Sequence, residues 1–420
     1  MWGGAKADGK RGSHSWYLSR SNLGDQLFYS GQPDQAEAVF QETLDGLGEG
    51  LNYDRCISLH MLGRCHEVQG RWSVAEKLYQ QALSELVILE QDNLVKKETA
   101  NVQTDLAALL TDRGDYSLAE ELYQASLEFA KELGDLRAMA ITNGLLGSLA
   151  LAKKELIKAG KLYKKSLTIS RRLGEPDHEA VALHQLGRVY QEAGNWQAAE
   201  QAYREAARLR ENSGSVREAG ASWNQLGVVC RFTERLGEAE TWYHKSLSIR
   251  RKIGDFVGMA RTLTNLADLL IKDPARLDEA CLLAEESLEI DKIHPASAEI
   301  WKNYSILADI TVRQGESSQA ALYRAKARQA YAEFPGAQQQ VQQKYGWLIA
   351  KTLQTVADPA QRDELEQNME KGIRMGRGNL VAAIRCLLDG ERDKNTLCEP
   401  LGWAEAAVIR AILEGTTEGV

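Results

Sequence analysis

Residues 186–203 read LGRVYQEAGNWQAAEQAY. Leu186-Gly187 leads, Gly194 follows seven residues after Gly187, Ala199 comes five later and Tyr203 four after that. The same order recurs along most of the chain. Leu-Gly or Leu-Ala pairs stand at Leu23-Gly24, Leu62-Gly63, Leu106-Ala107, Leu146-Gly147, Leu186-Gly187, Leu226-Gly227, Leu266-Ala267 and Leu307-Ala308, spaced by 39, 44, 40, 40, 40, 40 and 41 residues. Ala36, Ala75, Ala119, Ala159, Ala199, Ala239, Ala280 (one residue late) and Ala320 follow, as do Phe40, Tyr79, Tyr123, Tyr163, Tyr203 and Tyr243, a register the last two repeats lose. Gly31, Gly70, Gly114 and Gly194 fall between the halves of their units, and a second glycine series, Gly134, Gly174, Gly214 and Gly254, recurs at 40.

Each mark has a physical job. The stretches between glycines place apolar residues at i, i+3, i+4 and i+7, so each unit reads as two amphipathic helices of roughly 16 residues. A Gly or Ala in mid-helix lets its partner helix come close, and the aromatic fills the space beside the later alanine. The Gly134 series sits where a helix end wants a left-handed residue. Asp135, Glu175 and Asp255 then put negative charge at the next helix start.

Composition agrees. The chain has 420 residues, 44% hydrophobic and 26% charged, with 7 prolines; it is too long for one ordinary core and too apolar for disorder. A net charge of -8 disfavours a phosphate-binding role on nucleic acid. Six cysteines without a CxxC pair build neither a disulfide framework nor a zinc site, so reduced thiols in a cytoplasmic chain are the plain reading. No run approaches the roughly 18 apolar residues of a membrane span, and the residues from Met1 to Gly12 lack the apolar core of a signal peptide.

The units resemble tetratricopeptide repeats, with Gly70-Arg71-Trp72-Ser73-Val74-Ala75-Glu76 and Gly194-Asn195-Trp196-Gln197-Ala198-Ala199-Glu200 as the best copies. The period near 40 is similar to the longer repeats of Pins/LGN-type scaffolds, kinesin light chains and bacterial STAND-associated regulators. The resemblance implies an all-α, right-handed superhelical solenoid of about eight helix pairs with C-terminal capping helices. The expected organisation is a flexible tail over 1–14, the array over 15–335, a capping helical pair over 336–376 and a small helical module over 377–420. Four extra residues between repeats 2 and 3, within Ser84 to Glu98, equal about one helical turn. Beyond the array, helices are expected over Ala337–Val356, Pro359–Met375, Asn379–Asp389 and Trp403–Leu413, with Gly390 to Asn395 as a polar linker.

Chemical motifs are weak. Gly4 to Lys10 has the spacing of a phosphate-binding loop, but Arg11 stands where Ser or Thr is needed and no strand precedes it. Cys56 and His60 are four apart on one helix, while Cys65 and His66 lie about 90° or more away, so packed cysteines and a surface histidine are expected rather than a metal site. His178, His184, His244 and His294 have no nucleophile at an informative spacing. No cofactor, no metal and no catalysis are expected.

The resemblance implies a concave groove lined by the first helices. Counted from the Gly or Ala of each pair, its exposed positions lie at about -6, -3, -2, +1, +4 and +5. They include Asn22, His60, Arg64, Asp105, Ser148, Gln185, Arg188, Asn224, Gln225, Arg231, Arg261, Asn265, Lys302 and Arg313. The amide and carboxyl series at -2 suits the backbone of an extended peptide, or else these groups bond one another. Arg188, Arg231, Arg261, Lys302 and Arg313 make the later half basic, so either an acidic peptide docks there or the face is a solvated mixture of charges. A chaperone-type carboxylate clamp needs Lys at -3 and Asn at +1 of one repeat; His60 with Arg64 and Thr104 with Ala108 do not supply it. The resulting expectation is a protein-binding scaffold that holds a peptide or helix. The rival is a sensor module of a signalling system whose catalytic part lies elsewhere.

Overall fold

The computed structural model describes residues 13–294, 299–334, 337–374 and 377–417. The loop-like run Gly4 to Lys10 and nearly all of the expected tail over 1–14 lie outside them. Among the described residues every regular element is helical. Eight consecutive helix pairs carry the repeats: α1 (His14–Tyr29) with α2 (Pro33–Leu47), α3 (Tyr53–Val68) with α4 (Trp72–Leu86), α5 (Asn93–Arg113) with α6 (Tyr116–Glu132), and α7 (Leu136–Ala152) with α8 (Leu156–Leu173). Then follow α9 (Pro176–Glu192) with α10 (Trp196–Ser213), α11 (Val216–Phe232) with α12 (Leu236–Ile253), α13 (Phe256–Leu270) with α14 (Leu277–Ile293), and α15 (Ile300–Arg313) with α16 (Ser317–Glu333). Two compact units result, one ending at Ser215 and the other starting at Val216.

Within each pair the contact is the one the spacing demands. A Cβ added at Gly187 would sit 2.6 Å from the Tyr203 ring, one at Gly63 2.5 Å from Tyr79, and one at Gly147 2.9 Å from Tyr163. Tyr79, Tyr163, Tyr203 and Tyr243 are buried, as are the alanines four residues before them. The ring therefore occupies the space that a side chain on the facing helix would need.

The turns follow the glycines. Gly114, Gly174, Gly214 and Gly254 are helix C-caps with φ of 89°, 66°, 75° and 66°. The glycine series between the two halves of a unit lapses at Lys154 and Glu234, yet both residues keep the same backbone, at φ 62° and 61°. Side-chain caps begin several first helices: Asp135 accepts from the Ala138 N–H at 2.9 Å and Asp255 from the Gly258 N–H at 3.3 Å. The four extra residues before repeat 3 lengthen α5 to 21 residues, against 17 for α7 and α9. Its start is capped by Asp92, which accepts from the Leu94 and Val95 N–H groups.

In the second unit the chain continues through α17 (Ala337–Ala357), α18 (Arg362–Arg374), α19 (Gly378–Leu388), α20 (Lys394–Cys398) and α21 (Trp403–Thr417). The short α20 starts inside the stretch read as a linker. Asp393 produces it by accepting from the Thr396 N–H at 2.9 Å. One apolar cluster joins α15, α16, α17, α18, α19, α20 and α21. At its centre Trp301 packs on Phe334 at 4.6 Å and on Tyr331 at 5.3 Å, and Tyr331 packs on Trp403 at 4.6 Å between ring centres. This aromatic contact fastens the C-terminal helices to the last repeat pair.

Two substitutions separate ring contact from backbone strain. Gly187→Ala overpacks the Tyr203 ring and should cost about 2 kcal/mol, partly restored by adding Tyr203→Leu. Glu234→Gly relieves a left-handed non-glycine residue and should stabilise by about 0.5–1 kcal/mol. Urea denaturation of the three variants measures both; a neutral Gly187→Ala would show that the ring has room.

Candidate functional site

The first helices of successive pairs contact one another within each unit, α1 with α3, α3 with α5, α5 with α7 and α7 with α9, then α11 with α13 and α13 with α15. They form the face on which the expected groove residues stand. The -3 position is the main departure from expectation: its residues turn towards the second helix of their own pair. Thr104 Oγ1 lies 2.9 Å from Ser126 Oγ and Thr264 Oγ1 2.9 Å from Ser287 Oγ. His60 meets Tyr79 edge-on at 5.7 Å, and His184 meets Tyr203 at 5.2 Å.

His60 is therefore not a surface histidine, because its ring is buried against that pair. Its Nδ1 lies 2.6 Å from Glu98 Oε1 and its Nε2 2.9 Å from Asp105 Oδ2. Asn224, also at -3, is buried as well, its Oδ1 accepting from Asn265 Nδ2 at 3.1 Å. At -2, then, Asn265 bonds a neighbouring amide and Asp105 holds a histidine. Asn22 is exposed, and Gln185 and Gln225 are half-buried.

The expected cations are largely engaged. Arg64 lies 3.4 Å from Asp105, donates to Tyr29 Oη at 3.2 Å and stacks 4.8 Å from the Phe28 ring centre. Arg231 is paired with Asp268. Lys302 donates to Glu299 at 2.5 Å and Arg313 to the Ile271 carbonyl at 2.7 Å. Arg188, exposed, donates to Gln185 at 3.0 Å, and Arg261 is exposed. The carboxylates at +1 and in the preceding turn, Asp268 and Glu299, answer cations that the one-position count treated singly.

The sequence did not single out the cavity of about 220 Å³ between α7 and α9, backed by α8. Its rim carries Ile141, Leu145 and Ser148 from α7 with Val181 and Gln185 from α9, at positions -6, -2 and +1 of repeat 4 and -6 and -2 of repeat 5. Ile141 is 44% and Val181 48% exposed, so two large apolar side chains border open space on this face. The cavity exists because repeat 4 places Gly144 and Ser170 where repeats 5 and 6 place His184 and Asn224, and Arg210 and Arg250, beside Ala140 and Ser166, which are small in most repeats. In repeat 6 the matching site of Ser170 is Arg250, whose Nε donates to Ser246 at 3.0 Å and whose NH1 reaches Asp255 at 2.7 Å. In repeat 7 it is Asp291, held at 2.9 Å by Asn303, with burial pushing its carboxyl up to about 6. The Ser170 hydroxyl, fully buried, has no hydrogen-bond partner. Gly144, which breaks the run of His60, Thr104, His184 and Asn224 at -3, is the signal in the sequence that marks this site.

A family model described as tetratricopeptide repeat matches residues 16–84, 138–212 and 218–293, and a second of the same description matches residues 99–133. The chain belongs to the tetratricopeptide-repeat family. Solved structures share this fold at low identity. A STAND protein with a tetratricopeptide-repeat sensor from Pyrococcus horikoshii superposes with a TM-score of 0.58 at 18% identity, over 76% of this chain and 48% of that one. The chain thus spans about half the length of that relative. The apo quorum sensor NprR from B. thuringiensis gives 0.56 at 15% identity, over 75% of this chain and 87% of that one. Aspartyl phosphate phosphatase F from Bacillus subtilis gives 0.56 at 12% identity, over 80% and 97%. No curated protein matches the sequence. Among the described residues of this repeat protein no helix is long and apolar enough to cross a membrane.

The repeats set two equivalent histidines against each other. Burial alone would depress His60, but its bonds to Asp105 and Glu98 outweigh it and lift its pKa from 6.5 to about 9. For His184, burial first, then the charges of Arg210 and Arg188, lowers the pKa to about 3. A folded pKa above the unfolded one means that His60 stabilises the protein fully below pH 6.5 and loses that contribution as pH rises through about 9. His184 acts in the opposite sense, contributing above pH 6.5 and losing it as pH falls towards 3. Thermal melts of the parent and His60→Gln should differ by ~2 kcal/mol near pH 7, with the gap closing towards pH about 9.5, whereas the gap to His184→Gln should close on the acid side. Parallel curves for both variants would contradict this.

Proposed function

We propose that the chain is a non-catalytic interaction module that holds a peptide or helix of a partner protein against the first-helix face of its N-terminal unit. One apolar side chain of the partner seats between α7 and α9. The observation that carries this reading is the cavity of about 220 Å³ opening among Ile141, Val181 and Gln185. A pocket of that size whose rim carries Ile141, Leu145 and Val181 gains by burying a side chain from another protein, at roughly 25 cal/mol per Å² of apolar surface removed from water. Gln185 and Ser148 at its rim offer donors and acceptors to a peptide backbone. Exposed Arg188 beside it favours an acidic residue next to the anchor. Against catalysis stand the surroundings of the two histidines: both nitrogens of His60 face carboxylates, and burial with Arg210 and Arg188 keeps His184 neutral. Reduced thiols in a cytoplasmic setting fit the largely buried cysteines.

A second reading, a sensor module within a signalling system, is favoured by the fold shared with the STAND protein and with NprR, whose descriptions name a sensor in each case. It uses the same face, with the peptide as the signal.

Peptides selected from a display library against the folded protein test the proposal. Gly144→Leu projects a side chain into the cavity, where an added Cβ meets only Ser166 Oγ at 3.6 Å, and should weaken the selected peptides at least about tenfold. Lys165→Glu, exposed on α8, should leave them unchanged, and Arg188→Glu should reduce affinity mainly at low salt. Peptides that bind Gly144→Leu as tightly as the parent would remove the cavity from the site.

A further inference from the structure

The C-terminal helices carry a second cavity, of about 770 Å³, whose chemistry is the opposite of the first. Arg324 and Arg328, one turn apart on α16, face it together with Lys394 of α20 and Arg410 of α21; the carboxylate that lines it is Glu399. Asp309 lies near Arg324. Four cations from three helices thus surround one space with fewer carboxylates than charges. The Nε–H of Arg410 is buried without a hydrogen-bond partner. Arg328 donates to the Glu399 and Leu401 carbonyls, at 3.4 Å each. Burial, with the charges of Arg410 and Arg324, holds its guanidinium below the ordinary range. Like charges brought together in a half-buried site cost folding free energy, and a buried guanidinium N–H left unbonded costs more.

The Trp301, Tyr331 and Trp403 contact joins α16 and α21, the helices that carry Arg324, Arg328 and Arg410. The geometry points to an anion pocket between α16, α20 and α21 that binds a phosphate group, either free or as a phosphomonoester. A dianion suits this site better than a single carboxylate because the cations outnumber the carboxylates, and because guanidinium forks match phosphate oxygens in pairs. The pocket is separate from the first-helix face, so the two readings stand or fall independently.

The test is titration of the full chain with inorganic phosphate at constant ionic strength set by chloride, followed by calorimetry and thermal melting. Phosphate should bind and raise the melting temperature as its concentration rises. The exposed pair Arg324→Gln/Lys394→Gln should melt no lower than the parent in chloride, since it relieves repulsion, yet bind phosphate at least about tenfold more weakly. Arg410→Gln should likewise lose the response. A phosphoserine peptide, phosphoserine itself and the unphosphorylated peptide separate the sources. Tighter binding of the phosphopeptide than of phosphoserine assigns a protein-borne group, and equal binding assigns a free one. Three results would overturn the assignment: no binding of phosphate or either phosphoserine ligand, an unchanged response in the double variant, or a lower melting temperature of that variant in chloride, which would make the cations structural.

Discussion

A glycine without a side chain, met by a tyrosine ring, sets the spacing of the array. At Gly187 the ring of Tyr203 lies where a Cβ would be, so the two helices approach more closely than larger residues would permit. The same contact recurs at Gly24, Gly63, Gly147 and Gly227, and left-handed turns at Gly174 and Gly254 end the second helices of their pairs. Because each pair is positioned by its neighbours, residues away from these marks are free to differ. The cavity in repeat 4 and the buried Arg250 of repeat 6 are two fillings of one frame.

The frame was legible because it depends on residues whose roles are local. Gly24, Ala36 and Phe40 announce a close contact by type and spacing alone, and the extra turn of α5 was visible as a shift in period. Three features were not, for physical reasons. Lys154 and Glu234 adopt glycine's backbone without its composition, since the pairs on either side over-determine the turn. Helix α20 is too short to have a period and shows only in the cap formed by Asp393. The inner face departs from the helical wheel at -3, because a wheel gives direction from one axis while burial there depends on how close the facing helix comes. His60 and Asn224 lie on the correct side of their helix and are nonetheless covered.

The candidate sites were the least legible part, because their character resides in pairs of repeats. Arg231 and Lys302 read singly make a basic half; read with Asp268 and Glu299 they do not. His60 and His184 occupy the same place in the frame and contact the same ring, yet carry different charge at neutral pH because Glu98 and Asp105 stand beside one and arginines beside the other. The amide ladder expected along -2 breaks for the same reason: Asn265 finds a partner in the preceding repeat before any peptide arrives.

The aromatic contact of Trp301 with Tyr331 and Trp403 differs in kind from everything before it. Throughout the array each helix meets its immediate neighbours in the chain, so contacts form between residues made close together in time. Trp403 reaches back across about a hundred residues, and closing so long a loop is slow relative to local pairing. The aromatic end of the last repeat pair is therefore covered later in folding than the pairs of the array close on themselves.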